Sequence, residues 1–158
     1  MTARRVLPHG AWPSPITAAS LVAGSVRVGE VRVDGDDVWW SEQRPTEGGR
    51  TQVVRRTPDG TCHDLFPPPD PDAGVRAWDA RSRAGEYGGG AWAVDRGIVV
   101  FVDGADQRIH RVEPGAAPEP LAGASEPSVR FGHRYRDLTS WDDDWIICER
   151  ETHEPDVV

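Results

Sequence analysis

The five histidines, His9, His63, His110, His133 and His153, are the side chains of this chain most suited to moving protons near neutral pH. A hydrolytic serine would need one of them as its base, with a carboxylate to orient it. It would also need a G-x-S-x-G turn that lifts the hydroxyl between a strand and a helix. The nearest match is Gly123-Ala124-Ser125-Glu126-Pro127, which lacks the closing glycine and has no helical pattern behind Ser125. All five histidines fall in strand-like or loop contexts, so no catalytic residue is assigned.

Metal chemistry fares no better. His153-Glu154 is not the start of an H-E-x-x-H motif, because Val157 stands where the second histidine belongs. Trp141-Asp142-Asp143-Asp144-Trp145 has no glycine to turn a calcium loop and reads as a solvated acidic hairpin turn. Glu149 and Glu151 alternate onto one face of an exposed segment, near His153 and Glu154. No metal site and no cofactor are expected. Gly88-Gly89-Gly90 invites a phosphate-loop reading, but it lacks the G-x-x-x-x-G-K-[ST] or G-x-G-x-x-G spacing and runs into an apolar strand pattern, AWAV, rather than a helix. The expected role of these glycines is structural, as small residues in a strand where backbones crowd together.

Composition restricts the partners. All 18 basic residues are arginine, and the net charge is -8. An acidic chain lacks the basic face that phosphate neutralisation requires, so nucleic acid is not an expected partner. No window approaches a membrane span, and the N-terminus has two arginines but no apolar stretch after them, so no secretory signal is read. Cys62 and Cys148 are far apart and in no C-x-x-C pattern, and free thiols in a reducing compartment are expected. A cytoplasmic location follows as the expectation.

The elements that would position any site are short strands. Seventeen glycines and 14 prolines exclude long helices. Only Ile16 to Gly24 is plausible as a helix, with Thr17 or Ser14 as its cap. Strands are expected at 29–34, 38–42, 50–56 and 62–66, then at 86–94, 98–102, 108–113 and 119–122, then at 135–140 and 145–150. Turns at Gly35-Asp36, Pro58-Asp59-Gly60, Asp103-Gly104 and Pro114-Gly115 separate them. Residues 67–83 form a proline-rich insert, with Trp78 as an anchor, and Trp12 is a second anchor in the N-terminal arm. Adjacent Trp39 and Trp40 must point to opposite faces. Core packing is the expectation for Trp39 or its neighbour, for Trp92 and for Trp145.

The second strands, DDVWWSE, RGIVVFVD and DDWIICER, share one pattern: a polar turn, an aromatic or β-branched centre, and an acidic exit. Repeats of roughly 40–50 residues with four strands each are what propeller blades look like. The expected fold is all-β: a short N-terminal helix within residues 1–27, then an incomplete β-propeller over 28–158. Its blades are about 28–66, 84–123 and 131–158, two and a half four-stranded antiparallel units. A β-sandwich is the competing reading of such strand spacing.

The order HGAWPSPITAASLVAGSVRVGEVRVDGDDVWWSEQRPTEGGRTQVVRRTPDG, then GEYGGGAWAV, ADQRIHRVEPG and RYRDL, resembles the N-terminal propeller of bacterial prolyl oligopeptidase-family serine peptidases, in the acylaminoacyl-peptidase or dipeptidyl-aminopeptidase-like branch. The likeness runs from about His9 to His153. The family pattern usually has histidine before EYGGG, where this chain has Gly85. The resemblance implies a propeller over the mouth of a C-terminal α/β-hydrolase domain that carries the Ser-Asp-His triad, and passage of short peptides through the propeller. It implies that this chain is the front piece of a longer protein, inactive alone. Glu86 and Tyr87 become candidates to face the channel and touch a passing peptide, with Gly88, Gly89, Gly90 and Trp92 in structural roles. The alternative is a stand-alone binding or scaffold module whose ring is completed by oligomerisation. A lactonase-type propeller hydrolase would need a carboxylate metal site built from several blades, which two and a half blades do not supply.

Overall fold

A computed structural model of the chain describes residues 6–11, 14–22, 24–85, 87–122, 130, 132–141 and 145–154. Trp12, Glu86, the Ser125 loop, the Asp142–Asp144 run and Val157 lie outside the described residues. The helix α1 spans Ala18–Val22. The Thr17 hydroxyl accepts the Ser20 N–H at 3.0 Å, and the Ser20 hydroxyl accepts the Thr17 N–H at 2.9 Å. This reciprocal pair satisfies donors that the first helical turn would leave open.

Ten strands follow among the described residues. The first sheet is a meander of β1 (Arg27–Asp34), β2 (Asp37–Arg44), β3 (Arg50–Arg56) and β4 (Cys62–Asp64). The second repeats that order with β5 (Trp92–Asp95), β6 (Ile98–Val102), β7 (Ile109–Val112) and β8 (Glu119–Ala122). The third is the hairpin β9 (His133–Trp141) and β10 (Trp145–Thr152). All pairs are antiparallel. Two four-stranded meanders and a two-stranded sheet make a partial β-propeller, with no closed barrel among the described residues.

The alternation of each strand decides how the sheets stack. Trp39 and Val53 on one face of the first sheet meet Trp92, Val99, Phe101 and Val112 of the second, with Phe66 and Ala80 between them. The opposite face of the second sheet, Ala93, Val100, Val102 and Ile109, meets Tyr135 and Leu138 of β9. The middle sheet is therefore apolar on both faces, which is why Ile98 to Val102 reads as a continuous apolar run rather than an alternating one. Trp39 is fully buried between sheets, whereas Trp40 points to the outer face and donates its indole N–H to Glu42 at 2.7 Å.

The innermost strands β1, β5 and β9 lie side by side, and two turns show how they are tied. Arg96 and Gly97, with φ of 49° and 75°, form the tight β5–β6 turn. Both left-handed positions suit a two-residue hairpin turn. The Asp34 carboxylate at the end of β1 accepts the N–H groups of Arg96 and Gly97 at 2.9 and 2.6 Å. A bulge between Val28 and Val31 shifts the β1 register against β2. The extra residue places Val28 on the same face as Val31 and Val33, and all three are exposed.

Three expectations are corrected. Residues 87–91 are not strand: β5 begins only at Trp92. Gly88, Gly89 and Gly90 have φ of 68°, 119° and 53°, and such left-handed steps break a pleated ladder. The glycines thus form a loop leading into the inner strand. Trp145 is not core: 69 % of it is exposed on the outer face of the third sheet. Cys62 to Phe66 is strand only as far as Asp64.

Candidate functional site

The proline-rich insert leaves the outer strand of the first sheet and returns to the inner strand of the second. Along its second half it is bonded to every sheet. Asp79 accepts the Thr51 N–H at 2.8 Å, and the Ala80 N–H reaches the Thr51 carbonyl at 3.0 Å. Arg81 donates its N–H to Val102 at 2.9 Å. The fully buried Gln107 then reads the backbone with its amide. Its oxygen accepts the Arg83 N–H at 2.7 Å, and its nitrogen donates to the Arg81 carbonyl at 3.1 Å. Gln52 does the same at the start of the insert, taking the Phe66 N–H at 3.0 Å and donating to the Phe66 carbonyl at 2.8 Å. A side-chain amide holds one carbonyl and one N–H at once, which suits a buried segment with no ladder partner.

From Ser82 onward the segment turns to the third sheet. The Ser82 hydroxyl donates to the Tyr135 carbonyl. The Gly85 N–H donates to Glu151 at 3.0 Å, and this bond, followed by the His153 contact, holds the Glu151 carboxyl below its usual range. Gly90 closes the junction: its N–H donates to Glu30 of β1 at 2.8 Å, and its carbonyl accepts the Leu138 N–H of β9 at 2.8 Å. A Cβ at Gly90 would overlap the Asp137 backbone, and one at Gly88 would lie 2.6 Å from the Ser82 carbonyl. Two of the three glycines are thus at close backbone approaches.

Of the loop 85–90, Gly85 and Tyr87 to Gly90 therefore sit where the first, second and third sheets converge. Tyr87 at its tip is 98 % exposed and contributes no packing. Glu86 lies outside the described residues. Trp92, 1 % exposed, is core, with the Arg32 guanidinium 5.2 Å from its ring centre. A polar cleft of about 330 Å³ opens beside the loop, lined by Glu30, Ser41, Gln43, Arg81, Tyr87 and Trp92 among others. A second hollow of about 550 Å³, between the second and third sheets, is lined by Val94, Ile98, Val100, Arg111, Leu121 and Ile146 among others.

Asp103, Asp106 and His110, in a D-x-x-D-x-x-x-H spacing, form a group outside the sequence-derived candidates, and folding brings their ligand atoms within 4.8 Å of one another. A cation is already supplied there: Arg76 pairs with Asp103 and lies 3.8 Å from Asp106. Asp103 also accepts the Asp79 N–H at 3.2 Å, and His110 stacks on Phe101. Burial pushes the Asp103 carboxyl up, against the pull of Arg76. The group fastens the insert to the turn before β7. The sequence signal was available in that spacing, but the Arg76 counter-ion comes from 27 residues away. Glu149 pairs with Arg136 at 2.8 Å, and Glu151 with His153 at 3.2 Å.

No family model and no curated protein matches the chain. Solved structures do. A Mycobacterium tuberculosis puromycin-hydrolysing peptidase is 39 % identical over 93 % of this chain, with a TM-score of 0.69. A puromycin hydrolase is 38 % identical over 85 % of this chain, with a TM-score of 0.70. The match takes up 23 % and 20 % of those two proteins, so the chain spans under a quarter of their length. Identity at this level over most of the chain, with TM-scores near 0.7, is homology to their N-terminal region. The chain belongs to the prolyl oligopeptidase family of serine peptidases, in the part that builds the N-terminal β-propeller.

Proposed function

We propose that this chain is the gating propeller of a serine peptidase, acting with a C-terminal α/β-hydrolase domain that supplies the triad. In this reading it admits short peptides and small aminoacyl amides of the puromycin kind and excludes longer chains. The chain itself performs no catalysis. The carrying observation is the glycine loop: Gly85 is bonded to the third sheet and Gly90 to the innermost strand of the first, yet Tyr87 between them is 98 % exposed. An aromatic ring held out by a pinned loop contributes little to folding and is placed to meet a substrate. The acylaminoacyl-peptidase-like branch and a cytoplasmic setting belong to the same reading. The two free thiols, Cys62 exposed and Cys148 half-buried, fit a reducing compartment.

The test is a chimera in which this chain replaces the matching segment of the Mycobacterium tuberculosis puromycin-hydrolysing peptidase. Tyr87→Ala in that chimera is expected to change kcat/KM for peptides by several-fold, with the sign depending on peptide length. Unchanged kcat/KM for short and long peptides alike would remove the gating role from this loop.

A second reading has its own observation. The outer faces of the end sheets expose Val31 and Val33 on one side and Trp145 and Ile147 on the other. Surfaces of this kind suit a module whose ring is completed by other copies. Light scattering that finds a single closed oligomer would favour it.

A further inference from the structure

We infer that Glu30 is the positioning residue of the loop, through a bond that crosses from one blade to the next; the inference rests on the gating reading above. Glu30 lies at the bulge of β1, where the doubled residues re-aim a side chain that regular pleating would direct elsewhere. Its carboxylate divides its two oxygens. One accepts the Gly90 N–H at 2.8 Å, and the other accepts Arg32 at 3.3 Å. The Arg32 guanidinium lies against Trp92 at the start of β5 and reaches the Leu138 carbonyl at 3.5 Å. The backbone of Gly90 in turn accepts the Leu138 N–H. One acid and one arginine on β1 thus fix the exit of the glycine loop against both neighbouring inner strands.

This contact differs from the rest of the loop's anchoring. Ser82, Gly85 and Gly88 are held by the third sheet or by the insert's own backbone. At Gly90 the pinning side chain comes from the first sheet, and Glu30 also lines the polar cleft beside Tyr87. An ionised acceptor makes a stronger bond than a neutral amide does. Glu30→Gln keeps the shape and removes the charge, so it loosens the loop exit without emptying the bulge. Looser Gly90 gives a more mobile Tyr87 and a less selective opening.

The test has two readouts. Amide hydrogen exchange on the full chain and its Glu30→Gln variant follows Gly88 to Ala91, with Val99 and Phe101 of the middle sheet as internal controls. Roughly tenfold faster exchange in the loop with unchanged controls is expected. In the chimera, Glu30→Gln is expected to lower the preference for short over long peptides through KM, with kcat for puromycin kept, and Glu30→Asp to recover part of it. Unchanged loop exchange overturns the inference. A selectivity altered by Tyr87→Ala but untouched by Glu30→Gln also overturns it and leaves the gate standing. Faster loop exchange with neither variant altering selectivity removes the gate itself, and with it the functional role of Glu30.

Discussion

At the scale of single residues, the junction is made of positions that admit little substitution. Gly90 combines φ of 53° with backbone of the third sheet where a side chain would be. Gly90→Ala is expected to destabilise the chain by about 2–4 kcal/mol, read as a lowered urea midpoint. Arg76 carries a different cost. The Asp103 carboxyl is raised by burial, so its protonated form is favoured in the folded state relative to the unfolded chain. That contribution is present in acid and fades as pH rises through the folded value, where Arg76 must balance the charge. Arg76→Ala is expected to cost about 2–4 kcal/mol at neutral pH and less in acid; urea midpoints at two pH values would test it. Asp59 has the opposite sign. Bonds from Thr57, then from the Thr61 N–H and hydroxyl, hold its carboxyl down from 3.8 to about 2. Its contribution is present above the unfolded value and is lost as pH falls toward the folded one. An NMR titration of Asp59 in the native chain should find the low value, and Thr57→Ala should raise it.

At the scale of elements, what the sequence revealed depended on how local the cause was. Strands bounded by turn residues, such as Arg50–Arg56 and the continuous apolar run Ile98–Val102, were legible, and so was the Thr17 cap. The opposition of Trp39 and Trp40 followed from the pleat alone. The expected strand over 86–94 failed because its apparent alternation ran through three glycines whose conformation is set by the first and third sheets. Trp145 was misread for a related reason: its pattern marks a strand face, and only the stack shows that this face is an end. Gln52 and Gln107 carried no recognisable motif, since each acts on a segment of another element. The two tryptophans give an element-scale prediction. Trp39→Ala opens the packing between the first two sheets and is expected to cost about 3–5 kcal/mol by chemical denaturation, whereas Trp40→Ala on the outer face should cost about 1 kcal/mol.

At the scale of the molecule, the stack has a middle sheet covered on both sides and two end sheets covered on one. Val28, Val31 and Val33 at one end, with Trp145 and Ile147 at the other, leave apolar side chains facing water. The chain on its own is expected to self-associate with rising concentration, and Val31→Glu combined with Ile147→Glu should suppress this in light scattering. In the homologous peptidases the matching region is under a quarter of the protein. The central claim is that this stack serves as the propeller portion of a peptidase. Puromycin hydrolysis by the chimera with the Mycobacterium tuberculosis enzyme tests it most directly. The account predicts a folded chimera with kcat within about tenfold of the parent, because under the proposed gating role the chain contributes access rather than chemistry. A chimera that folds and stays intact but hydrolyses neither puromycin nor any short peptide would contradict it.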